Sequence, residues 1–276
     1  MSIRQALLIL ALGLGLPLQV EGGAWSQPQG SYYAKLSALL YSADEAFDGS
    51  GEKGPVNELG ETFDSRQLFL YGEYGAAKRL TLTGQLGLGD LTAENREKQI
   101  STTGLGDLEV GAKYQLTDGP VVLAPLVNLK LPTGYDQGAD LSLGTGSADL
   151  EFRLLGAGSL HPWPVYVGVE GGLRLRGGAF SNQVPYLFEV GANPHARLFT
   201  KFYLSGTNTL GSDEADMGAM DSMSTQVSEG DFTKLGLNAA LHIQGGLWVD
   251  LLFETIFSGE NVGAGSTIGL GLSYKK

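Results

Sequence analysis

Residues Thr103–Gly134 read TGLGDLEVGAKYQLTDGPVVLAPLVNLKLPTG, and this stretch decides the fold. Leu108, Val110, Ala112, Tyr114 and Leu116 alternate with Asp107, Glu109, Gly111, Lys113 and Gln115. Side chains along a strand point to opposite faces, so this arm has one apolar and one polar face. Thr117-Asp118-Gly119 is a tight turn, with a glycine available for positive φ. The return arm sets Val127, Leu129 and Leu131 against Asn128 and Lys130. Each arm is about 9–11 residues, the length of a tilted membrane-crossing strand. The hairpin therefore reads as one unit of a β-barrel that crosses a membrane with strands.

The same rhythm runs outward in both directions. Upstream, Ser31–Tyr41 sets Ala34, Leu36, Ala38 and Leu40 against Tyr33, Lys35 and Ser37; a polar stretch, Ala46–Thr62, follows. Gln67–Gly75 and Leu80–Leu88 flank the short turn at residues 76–79, and Asn95–Gln99 is a further polar loop. Downstream lie the arms Ala148–Leu155, Val165–Arg176, Tyr186–Ala192, Leu198–Leu210, Phe232–Ile243, Leu247–Phe257 and Ser266–Tyr274. Long loops alternate with short turns such as His161-Pro162-Trp163-Pro164 and Asn193-Pro194-His195-Ala196. The expectation is an all-β chain: a single closed, antiparallel, up-and-down transmembrane barrel of about twelve strands. Short turns would face the periplasm, long loops the exterior, and both termini would be periplasmic.

Composition agrees. The chain has 276 residues, 42 of them glycine, with 17% charged residues, a formal net charge of −12 and no cysteine. Glycine costs a helix about 1 kcal/mol per site, so a glycine-rich alternating chain argues for β. Lack of cysteine removes disulfides, thiolate metal sites and cysteine nucleophiles. An acidic balance argues against a nucleic-acid partner, which needs clustered Lys and Arg. Residues 1–24 have a basic start at Arg4, an apolar run Ala6–Leu16 and small residues Gly22 and Ala24 before a cut. That is a secretory signal pattern, leaving residues 25–276 as the barrel. No later segment is long and apolar enough to span as a helix.

Alternation alone leaves open which face meets lipid. Three features favour lipid outside. The polar face carries charges of both signs that can pair across an enclosed space; twelve strands enclose too much room for a dry core; and Tyr114, Trp163 and Tyr274 near strand ends suit an interfacial girdle. The candidate lumen-lining residues are Asp107, Glu109, Lys113, Lys130, Asp149, Glu151, Arg153, Glu170, Arg174, Arg176, Lys201, Lys234, Asp250 and Glu254. They read either as a selectivity constriction or as an ion-pair network that plugs and stiffens the barrel. Enzymatic chemistry is not expected: His161 and His195 fall in short turns, and His242 lies at the periplasmic end of its arm. No cofactor or resident metal is expected. The loop at 213–223 carries Met217, Met220 and Met223 among acidic residues and reads as solvated, with soft sulfurs as its one notable feature. Acidic loops (Asp44, Glu45, Asp48, Glu52, Glu58, Glu61) would face lipopolysaccharide phosphates through bridging divalent cations.

Four segments carry a family resemblance: LYGEYGAAKRLTL (Leu70–Leu82), TGLGDLEVGAKYQL (Thr103–Leu116), LKLPTG (Leu129–Gly134) and GTGSADL (Gly144–Leu150). In these the chain resembles the MetA-pathway of phenol degradation family of outer-membrane proteins. The resemblance implies a twelve-stranded barrel assisting uptake of aromatic or other apolar compounds. Its partners would be outer-membrane lipid and lipopolysaccharide, a small-molecule solute and the barrel-assembly machinery. The carboxyl end, Tyr274-Lys275-Lys276, departs from the aromatic last residue common in such barrels. The expected role is a channel for passive uptake of small apolar or aromatic molecules; the alternative is a structural or surface-interaction barrel with a plugged lumen.

Overall fold

A computed structural model describes residues 23–56, 60–136, 141–178, 180–211 and 230–276. The leader up to Gly22, Glu58 and the Met217–Met223 loop lie outside the described residues. In chain order the strands are β1 (Tyr32–Ala43), β2 (Glu45–Phe47), β3 (Lys53–Pro55), β4 (Thr62–Ala77), β5 (Leu80–Glu94), β6 (Gln99–Tyr114), β7 (Val121–Leu131) and β8 (Asp149–Ser159). There follow β9 (Val165–Arg176), β10 (Gln183–His195), β11 (Leu198–Thr209), β12 (Asp231–Gln244), β13 (Leu247–Glu260), β14 (Val262–Gly263) and β15 (Ser266–Lys275). Twelve of them form a closed barrel in the order β1-β15-β13-β12-β11-β10-β9-β8-β7-β6-β5-β4, all pairs antiparallel. This is the barrel read from the hairpin. Closure is made by β1 on β15, from Tyr33 opposite Lys275 to Ser42 opposite Ser266. The start of β1 and the end of β15 thus lie at the rim that carries the short turns.

The outer face is apolar in a band. Leu36, Leu70, Leu154, Leu251 and Ile268 are all exposed there. Along β5 the outward positions are Leu80, Leu82, Gly84, Leu86 and Leu88, then Asp90, Thr92 and Glu94. Eight steps at about 3.3 Å, inclined by about 40°, give an apolar height of roughly 20 Å, close to the band of outer-membrane barrels. Below it Tyr32, Tyr74, Tyr114, Trp163 and Tyr274 are exposed in a ring at the short-turn end.

Above the band the two faces exchange character. On β4 the outward residues become Arg66 and Asp64, while the inward Phe63 is buried; on β5 Leu91 and Ala93 are buried inside. Arg66 pairs with Asp90, and Asp90 with Thr103, so the change occurs at one level on three strands. This explains two departures from expectation. The arms Gln67–Gly75 and Leu80–Leu88 are longer than read, running to Thr62 and Glu94, because the ladder continues into water with its polarity reversed. The connection from β5 to β6 is not long: Glu94 pairs with Gln99, and the Asn95 amide donates to the Lys98 carbonyl at 2.9 Å. Its length has gone into the strands.

Two further differences concern register and loops. Leu86 faces Leu108 but Leu88 faces Leu105, so Gly106-Asp107 forms a bulge that shifts the alternation by one residue. The polar stretch after β1, read as loop, contributes β2 and β3, which join β14 in a three-stranded sheet. Phe47 packs there on Phe232 and Val262, joining the connection after β1 to the start of β12 and to the short connection before β15.

Candidate functional site

The interior is built by the pleat opposite the outward leucines. By register the fourteen lumen-lining candidates fall on it, and they come together in groups. At the level of the bulge, Lys130 Nζ lies 3.1 Å from Asp107 and 2.9 Å from Asp149, with Arg176 3.7 Å from Asp149. In the middle, Glu151 takes Arg153 and Arg174, the latter at 2.6 Å; Arg153 also reaches Glu170 at 3.2 Å. Glu109 accepts from Asn128 Nδ2 at 2.8 Å. Across the barrel, Lys201 pairs with Glu189 at 3.4 Å and Lys234 with Glu254 at 2.9 Å, while Asp250 takes Lys35 at 2.6 Å. Lys113 is 3.7 Å from Glu73. Charges of opposite sign on neighbouring strands neutralise one another inside, as buried charges require.

Lys35, Glu73 and Glu189 belong to this set and were not among the candidates. Each sits at an inward parity position, Glu73 between two outward-facing neighbours in YGEYG. Parity alone would have found them. On the strands that carry Lys35 and Glu73, Leu39 and Phe69 also project inward, and glycines make room for them. A Cβ on Gly269 would stand 2.6 Å from Leu39, and one on Gly87 2.9 Å from Phe69.

Both ends of the interior are narrowed. At the upper end, Leu141 and Leu143, from the connection between β7 and β8, are buried against Phe63, Leu91 and Ala93. The same connection is tied down by polar contacts: Tyr135 donates to Asp107 at 2.6 Å, and Lys130 donates to Thr145. At the short-turn end the chain's own residues 23–28 enter the barrel. Ala24 is buried among Val122, Ala124, Leu155 and Ala157. Trp25 meets Tyr166 edge-on with centroids 5.5 Å apart, and Tyr166 stacks on Phe199. Lys113 donates to the Gly23 carbonyl at 2.6 Å, the Ser26 amide to Gln115 at 2.9 Å, and Gln27 Nε2 to Glu73 at 2.6 Å. None of this is legible in the sequence, where these residues precede the first strand.

Between the two narrowings lie adjoining cavities of about 230 and 430 Å³. They share Tyr71, Gln85, Arg153 and Glu170; Tyr203 and Leu187 line the larger. A cavity of about 150 Å³ already holds a benzene ring, so each is large enough for a small aromatic molecule. His161 lies in a short turn, His195 is the last residue of β10, opposite Leu198 and not in a turn as read from the sequence, and His242 Nε2 is 2.8 Å from the Gly245 carbonyl at the rim. Among the described residues, no group of His and acidic side chains is arranged to hold a metal ion.

No protein-family model matches the sequence, and no curated protein does. Solved structures do. The COG4313 outer membrane channel from Pseudomonas putida F1 aligns with a TM-score of 0.75 at 18% identity, covering 93% of this chain and 99% of that one. The NanC porin aligns at 0.55 and 7% identity, covering 88% and 100%; the translocator domain of the autotransporter NalP from Neisseria meningitidis aligns at 0.56 and 12%, covering 98% and 93%. At these identities the likeness is one of fold: the barrel is built as these outer-membrane channels, porins and translocators are.

Proposed function

We propose that the protein is an outer-membrane channel for passive uptake of small aromatic or otherwise apolar molecules. One observation carries this reading: the interior widens between its two narrow ends into cavities of ring size, bounded by Tyr71, Tyr203 and Leu187 as well as by paired charges. Ions that already neutralise each other leave little net field, so a neutral solute meets a low electrostatic barrier. The apolar band and its tyrosine ring place the barrel in a bilayer, and a fold shared with a COG4313 outer membrane channel supports the outer membrane. The start of β1 and the end of β15, at the rim with the short turns, would face the periplasm, from which residues 23–28 reach into the barrel.

A second reading rests on residues 23–28: the short-turn end is occupied by the chain itself, which favours a plugged barrel with a surface role. Liposome uptake separates the two. Vesicles carrying purified protein should take up phenol-sized aromatics faster than empty vesicles and faster than sugars of equal mass. Uptake equal to that of empty vesicles would end the channel reading and leave the plugged barrel.

A further inference from the structure

Residues 23–28 also bear on where the mature chain begins. Small residues precede two candidate cuts in the leader: one after Ala24, with Gly22 and Ala24 at −3 and −1, and one after Gly22, with Val20 and Gly22 there. In either case water adds across the amide, leaving a carboxylate on the released leader and an α-ammonium on the first mature residue. The cuts differ in where that ammonium lies.

A cut after Ala24 puts it on Trp25, which packs against both the Val122, Ala124, Leu155 and Ala157 cluster and the Tyr166–Phe199 stack. That seats a charge on a residue wedged between two apolar clusters, where a charge is costly unless it is paired. The same cut removes Ala24, which is 1% exposed, opening a hole in that cluster. It also removes the Gly23 carbonyl to which Lys113 donates at 2.6 Å. A cut after Gly22 keeps all of these, and its ammonium falls on Gly23, which borders the larger cavity together with Glu170 and Glu189. The charges on the cavity walls fit that placement. Their carboxylates are Glu73, Glu109, Glu151, Glu170 and Glu189; their cations are Lys113, Arg153, Lys201 and Lys234. The acids exceed the bases by one.

We infer that the leader is removed between Gly22 and Gly23, and that the Gly23 α-ammonium is a built-in cation of the channel interior. The mature terminus is then part of the site rather than a loose end outside it.

Intact mass and amino-terminal sequencing of the full protein purified from outer membranes test the cut directly. The expected amino-terminal sequence is Gly-Ala-Trp-Ser; a start at Trp25, or an attached leader, overturns the inference. The interior role is tested by exporting the barrel behind a different leader, once with Gly23 first and once with Trp25 first. The chain beginning at Trp25 should melt at a lower temperature in detergent and show a shift of ion selectivity towards cations. Equal melting temperatures and equal reversal potentials would show that the ammonium has no place in the interior.

Discussion

Lys130 holds its ammonium between Asp107 and Asp149 with 2% of its side chain exposed. Removing Lys130 leaves the buried Asp107 carboxylate without its cation, at a cost of roughly 3–5 kcal/mol. Lys130→Met should therefore lower the unfolding temperature of the barrel, read as the heat at which its fast-migrating band disappears on a detergent gel. The double variant K130M/D107N should recover much of the loss, because Asp149 keeps Arg176 at 3.7 Å and what harms the single variant is the Asp107 carboxylate left without its cation. A second residue offers a pH prediction outside the membrane band. The Ser50 hydroxyl, then the backbone amides of Glu52 and Ser50, hold the Asp48 carboxyl below its ordinary range. A depressed carboxylate stabilises the folded turn above the ordinary carboxylate range and loses that effect as pH falls through the depressed value. Amide exchange at Ser50 and Glu52 should accelerate only in strongly acidic solution, whereas in Asp48→Asn it should already be fast at neutral pH.

Among elements, residues 23–28 and the β6–β7 seam stand out. Trp25→Ala removes the ring that joins the two apolar clusters at the short-turn end. Planar bilayer recordings should show a larger single-channel conductance than wild type, while the barrel keeps its fast gel mobility; unchanged conductance would mean that Trp25 does not narrow the path. The ladder of β6 with β7 runs only from Leu108 opposite Leu131 to Lys113 opposite Leu126, whereas β5 pairs with β6 as far as Glu94 opposite Gln99. Hydrogen exchange in the Gln99–Asp107 half of β6 should outpace that of β4 and β5 at the same height.

Most of these strands are legible in the amino-acid sequence, because a two-residue period needs only local information. The period misleads where the polarity of the faces reverses. Along β5 it is unbroken from Leu80 to Glu94, yet Asp90 and Thr92 face out where Leu86 and Leu88 did, so an arm defined by outward leucine ends too soon. Nor can it show residues 23–28, whose partners are remote: Gln27 reaches Glu73 across 46 positions and Ser26 reaches Gln115 across 89. The site divides in the same way. Inward charges follow from parity, whereas the groups they form depend on the shear of the closed barrel.

At the scale of the whole molecule, acids and bases are interleaved inside and mostly neutralise one another. A salt gradient across a bilayer containing the barrel should give a reversal potential near zero; a strongly anion- or cation-selective current would mean that one sign of charge controls the path. The exchange of polarity between faces also gives the barrel a waterline. Arg66, Asp90 and Thr103 mark it on adjoining strands, one row above Leu68, Leu88 and Leu105. Such a mark fixes how deeply the molecule floats. In bilayers of longer acyl chains Arg66 would be drawn under, against a cost rising from near zero at the interface towards roughly 2–4 kcal/mol at the midplane. Lipids must then thin around this side of the hull or the barrel must list, so its natural berth is a membrane whose hydrocarbon is thin.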